Sequence, residues 1–161
     1  MAAVGLASRR AKLGACRVDL VVQRARETGA WNDPVARQEI AKLLILHRSA
    51  GWTARRATAA LQAGRKQGPE GSLAKLAGSN IARQASLVHT LITGAEAMLT
   101  GADSPMGGVI AEILVSVPAT SIAGGTDEIQ RNIISERVLG MGKEPRSDAG
   151  PFRAIPRNTS G

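Results

Sequence analysis

Aromatic residues are nearly missing from this chain: Trp31, Trp52 and Phe152 are the whole set, and tyrosine does not occur. That scarcity disfavours nucleic acid as a partner, because base stacking needs aromatic platforms interleaved with basic residues. A single cysteine, Cys16, excludes an internal disulfide and any cysteine-rich metal site, and no metal centre is expected. Its expected role is that of a small apolar residue. No uninterrupted apolar run approaches the ~18 residues of a membrane span, and no signal-peptide pattern opens the chain. A cytoplasmic protein without a membrane span is therefore expected. Acidic residues are few as well, 13 against 21 Lys and Arg, which leaves a net charge of +8. The basic residues are scattered through helical patterns, so a solvated basic face is the plain reading. A phosphate-bearing ligand such as CoA or FAD is the second reading, and acidic surface on a missing domain or partner a third.

What is abundant is alanine and leucine, which favour helix over strand. At 161 residues the chain fits one domain with a real core. Apolar residues recur at three- and four-residue steps through 4–27, and Gly29 to Pro34 breaks the pattern. A second helix is predicted over about 35–64, with His47 in its apolar stripe as a hydrogen-bonded interface residue. After a turn at 67–71, capped by Ser72 or a neighbour, a third helix is predicted to about Leu99. Residues 100–108 read as loop. A fourth helix runs from Val109 to about Thr120, with Pro118 expected to bend or end it. The fifth spans about Asp127 to Leu139. Its apolar positions Ile129, Ile133, Ile134 and Val138 cover about half the circumference, so it should be covered from two sides, a second subunit being one candidate. No alternation supports a strand. The expected architecture is all-α: an antiparallel up-and-down bundle of four long helices plus a short C-terminal helix over 1–140, followed by a flexible tail over 141–161 that is rich in Gly, Pro and Ser.

One stretch carries chemistry. Gly124-Gly125-Thr126-Asp127-Glu128-Ile129-Gln130-Arg131 combines two glycines that permit a tight turn with a Thr-Asp pair able to cap the following helix. The free N–H groups and positive dipole end of that helix suit an anion or a polar cofactor edge. As a bare pattern this is ordinary helix capping.

The run as a whole, through Gly140, resembles the C-terminal signature of the acyl-CoA dehydrogenase family, flavoproteins that desaturate acyl-CoA thioesters. Asp33-Pro34-Val35-Ala36-Arg37-Gln38 is similar to a helix junction of the family's C-terminal domain. Gly68-Pro69-Glu70-Gly71-Ser72-Leu73-Ala74-Lys75-Leu76 is similar to the start of its next long helix, and Gly140-Met141-Gly142-Lys143-Glu144-Pro145-Arg146 to its usual exit. These matches keep the family's order from about residue 10 to residue 146. The N-terminal helical and middle β-domains of a complete member do not occur in this sequence, so the chain looks like the C-terminal helical domain alone.

The resemblance implies FAD as cofactor and an acyl-CoA substrate met through an assembled enzyme, a homo-oligomer or a hetero-oligomer with a homologous chain. It implies cofactor contacts at Gly125, Thr126 and Glu128. It further suggests Gly94, left from a glycine-rich turn that approaches the neighbouring subunit's adenine, and Arg26, from an Arg-x-x-Phe-Gly pyrophosphate contact that reads Arg26-Glu27-Thr28-Gly29 here. The family's proton-abstracting glutamate sits either directly before the Gly-Thr of the turn or on the domain's first helix just before an arginine. Gly124 occupies the first position and Arg9 the second. Glycine has no side chain and arginine stays protonated, so no catalytic base is expected. Glu128 fits the cofactor edge better than the role of a replacement base. Structural ion pairs are expected for Lys75 and Arg131. Three readings follow: a domain of an oxidoreductase of lipid metabolism that is inactive alone, a non-catalytic partner subunit of a mixed oligomer, or an unrelated basic helical binding module.

Overall fold

The computed structural model describes residues 17–66, 68–143, 150–151 and 153. Among these residues there is no strand, and five α-helices succeed one another: α1 (Val18–Glu27), α2 (Pro34–Gln62), α3 (Glu70–Thr93), α4 (Val109–Ile122) and α5 (Asp127–Arg137). Short 3-10 turns at Ala30–Asn32, Gly94–Met98 and Pro105–Gly108 join them. The part of the first predicted helix before Arg17 lies outside the described residues, as does most of the predicted tail.

Local chemistry explains most of the boundaries. Gly29 takes a left-handed φ of 76° and closes α1. Asp33 then opens α2, its side chain accepting from the Val35 N–H at 2.9 Å, with Pro34 in the first turn where no N–H is needed. α3 begins at Glu70, two residues before Ser72, and Pro69 stands at its cap without a side-chain bond. Gly94 ends α3 at a φ of 65°, and the chain continues as 3-10 helix to Met98 rather than as α-helix to Leu99.

Pro118 does not end α4, which runs four residues further to Ile122. The carbonyls of its last turn find donors outside the helix: Ser79 Oγ bonds the Thr120 carbonyl at 3.0 Å and Lys75 Nζ the Ser121 carbonyl at 3.2 Å. Within 105–137 one 18-residue window is apolar enough by composition alone to cross a membrane, although charged residues at 112, 127, 128, 131, 136 and 137 interrupt the stretch. The Gly124-Gly125 turn divides it into helices of 14 and 11 residues. Each is shorter than the ~20 residues that a bilayer core requires.

α3 is the central post, packing against α1, α2, α4 and α5. Glu39 of α2 lies beside Gln84 of α3 while Leu61 and Leu73 wall one cavity, so this long pair is antiparallel; Ser79 of α3 lies beside Thr120 of α4. The core gathers Val21 and Ala25 of α1, Ala36, Ile40 and Leu43 of α2, and Ala85, Val88 and Ile92 of α3. His89 is fully buried in α3, whereas His47 is only partly covered. In α2, burial stops at Leu43: the remaining residues to Gln62 include none that is buried, and Trp52 is 61% exposed.

The glycine turn and the helix it opens

Gly124 and Gly125 adopt φ values of 71° and 93°, which reverse the chain between α4 and α5 in a conformation that L side chains rarely take. Thr126 is the cap, its Oγ1 accepting from the Ile129 N–H at 3.3 Å. Gln130, one turn into α5, folds back and donates from Nε2 to the Gly124 carbonyl at 3.1 Å. A side chain at Gly125 would meet that Nε2 at 2.8 Å, whereas the space around Gly124 is open.

Asp127 fixes the turn to the bundle. It is buried at 3% exposure, and its carboxylate receives Lys75 Nζ at 2.9 Å on one oxygen and Arg83 Nη1 at 2.7 Å on the other. Lys75, Ser79 and Arg83 recur every four residues and so share one face of α3. Arg83 is steadied in turn by Asn80 Oδ1 at 2.7 Å. The hydrogen bond from Lys75, with those of Arg83 and Ser79, holds the Asp127 carboxyl well below the usual carboxylate range against the opposing cost of burial. Glu128 faces outward, 76% exposed, with Arg131 at 3.5 Å. Its carboxyl is lowered by its own backbone N–H and by the Thr126 hydroxyl.

Neither acid is suited to general-base chemistry at neutral pH. Asp127 is claimed by two cations, and Glu128 is biased toward the charged, weakly basic form. The arrangement offers backbone N–H groups and a helix N-terminus to an incoming polar group, and no proton acceptor at residue 124. Arg9 lies outside the described residues.

The other two candidate positions lie elsewhere on the bundle. Gly94 is at the far end of α3, about 22 Å along the axis from Ser79 at 1.5 Å per residue. There Arg24 of α1 reaches Thr93 Oγ1 at 3.4 Å and Glu96 at 3.3 Å. Arg26 lies over the Trp31 ring, 5.3 Å from its centroid. The structure thus brings Gly125, Thr126 and Glu128 together and sets Gly94 and Arg26 apart from them. Sequence reasoning anticipated an acid across the bundle for Lys75 without naming Asp127, and it passed over Ser79 and Arg83. The i, i+4, i+8 polar stripe on a mostly apolar helix was the signal that could have found all three.

A family model for the acyl-CoA dehydrogenase C-terminal domain matches residues 1–139. The chain belongs to the acyl-CoA dehydrogenase family. It is similar to the acyl-CoA dehydrogenase IpdE1 of Mycobacterium tuberculosis, 30% identical over 132 residues, which covers 78% of this chain and 32% of that protein. Among solved structures it resembles the Tcur3481-Tcur3483 steroid acyl-CoA dehydrogenase with a TM-score of 0.69 at 20% identity, over 79% of this chain and 34% of that one. It also resembles the ChsE4-ChsE5 complex of Mycobacterium tuberculosis with a TM-score of 0.62 at 19% identity, over 77% of this chain and 36% of that one. These structural likenesses bear on the fold. The chain spans about a third of the length of the acyl-CoA dehydrogenases it matches.

Proposed function

We propose that this chain is the flavin-facing C-terminal helical domain of an FAD-dependent acyl-CoA dehydrogenase, inactive by itself and completed by other domains or by a homologous chain in a cytoplasmic assembly. The observation that carries the reading is the glycine turn: two left-handed glycines, a capped helix N-terminus and a buried Asp127 anchor, with no side chain at the position of the family's base.

These residues fit one edge of a flavin nucleotide. The backbone at Gly125 and the Thr126 cap would meet a polar ring edge, and the open space at Gly124 lets it approach. When bound, the flavin accepts the β-hydrogen of the acyl chain as hydride. This chain's share is to position that group through Gly125, Thr126 and Glu128, while the α-proton must leave to a carboxylate that another chain or domain supplies. Gly94, at the other end of α3, would meet a second nucleotide held mainly by a neighbouring subunit, and Arg26 of α1 would meet a pyrophosphate. The hetero-subunit reading draws on one further point: two of the similar structures are named as Tcur3481-Tcur3483 and ChsE4-ChsE5 pairs.

The test is reconstitution. The purified chain with FAD, an acyl-CoA and an electron acceptor should give no turnover. Co-expression with a homologue that carries the missing domains should give a complex that retains flavin. Turnover by the chain alone refutes the inactivity, and a complex whose flavin content ignores Thr126→Ala and Gly125→Ala refutes the assignment of the turn.

A further inference from the structure

The uncovered half of α2 and the N-terminal half of α3 wall a trough between them. One part, about 500 Å³, is walled by Ala50, Ala54, Ala57 and Leu61 of α2 and by Leu73 and Ala77 of α3. A second part, about 750 Å³, shares Thr53, Ala57 and Leu73 with it and extends past the exposed Trp52 toward the end of α5. The floor of the first part is mostly apolar and the rim is not neutral: among the described residues that line it, Arg56, Arg65, Lys66 and Arg137 are set against a single acid, Glu70.

We infer that this trough docks an amphipathic helix with acidic flanks, supplied by a partner chain of different sequence. This rests on the reading of a partner-dependent domain and names the surface the partner uses. Apolar surface with a large aromatic at its edge is the usual seat of a helix laid into a groove. Charge selects the occupant. A second copy would bring another +8 chain against a basic rim. Residues 1–16 carry Arg9, Arg10 and Lys12 and no acid, and residues 144–161 carry three arginines against Glu144 and Asp148. Neither end of this chain therefore offers the acidic flanks that the rim selects.

The probe is a synthetic helical peptide of about 18 residues with Leu and Ala at three- and four-residue steps and Glu at the flanks, paired with an isomer carrying Lys instead. Trp52 emission, isolated in a Trp31→Phe variant, and calorimetry on the full chain report binding. The acidic peptide should shift the emission and bind at least about tenfold more tightly than the basic one, and the gap should narrow in high salt. Arg56→Glu with Arg65→Glu, both exposed and so harmless to the fold, should reverse the preference. Ala57→Arg should abolish binding while helicity by circular dichroism is kept. Equal binding of both peptides, or none, overturns the inference. So does a dimer in sedimentation that Ala57→Arg dissolves, which would assign the trough to a second copy. None of these readouts uses flavin or turnover, so failure here and failure of the flavin reading are separable.

Discussion

Replacing Gly125 with alanine tests the turn most directly. At a φ of 93° the new Cβ violates backbone sterics, a cost of about 1–2 kcal/mol. It also lands 2.8 Å from Gln130 Nε2, which must swing away from the Gly124 carbonyl. Gln130 is buried, so losing its partner adds about 1–3 kcal/mol. A central value of about 3 kcal/mol lowers Tm by about 6–12 °C in a domain of this size. Gly124→Ala is the control: its φ is 71°, and nothing lies within 4 Å of its Cβ. It should therefore incur only the backbone penalty of about 1–2 kcal/mol. The assay is thermal and urea unfolding of both variants, repeated in a Gln130→Ala background. There the clash is gone, and the Gly125→Ala penalty should fall to that of Gly124→Ala. An unchanged penalty in the two backgrounds would refute the claim that Gln130 locks the turn.

Acid should loosen the attachment of α5. Because the Asp127 carboxyl is depressed in the folded state, the unfolded chain binds the extra proton, so stability rises with pH through the acidic range. The contribution is complete above about pH 5 and fades as pH falls further, and Asp127→Asn should flatten the dependence in urea titrations across that range. Thr126→Ala removes the α5 cap and should cost about 1 kcal/mol, read as a drop of about 2–4 °C in Tm. Leu43→Ala, at a fully buried position where three helices meet, should cost about 2–5 kcal/mol in denaturant unfolding.

Much of this fold was written in local sequence. Asp33-Pro34 and Gly29 mark their junction because capping and left-handed turns depend on the residues at the spot. Among the described residues the apolar period located all five helices, though it carried the third past its end at Thr93. Pro118 does not stop α4, which runs two residues past the expected Thr120, because proline removes only the donor to the carbonyl four residues back; the carbonyls of the last turn find Lys75 and Ser79, which no local rule contains. The exposed half of α2 was equally hidden, since Leu44, Leu61 and the alanines between them carry the same helical period as the buried half. At the turn, the glycines and the Thr126 cap were legible. The role of Asp127 was not, because its partners lie 52 and 44 residues away.

One carboxylate facing two cations leaves a unit of positive charge beneath the tip of α5, while Glu128 and Arg131 on its outer side pair with each other. The helix end above it adds roughly half a unit of the same sign. An anion approaching from solvent thus meets an attractive field fixed by the scaffold, with no side chain needing to move, and added electrolyte should weaken that pull.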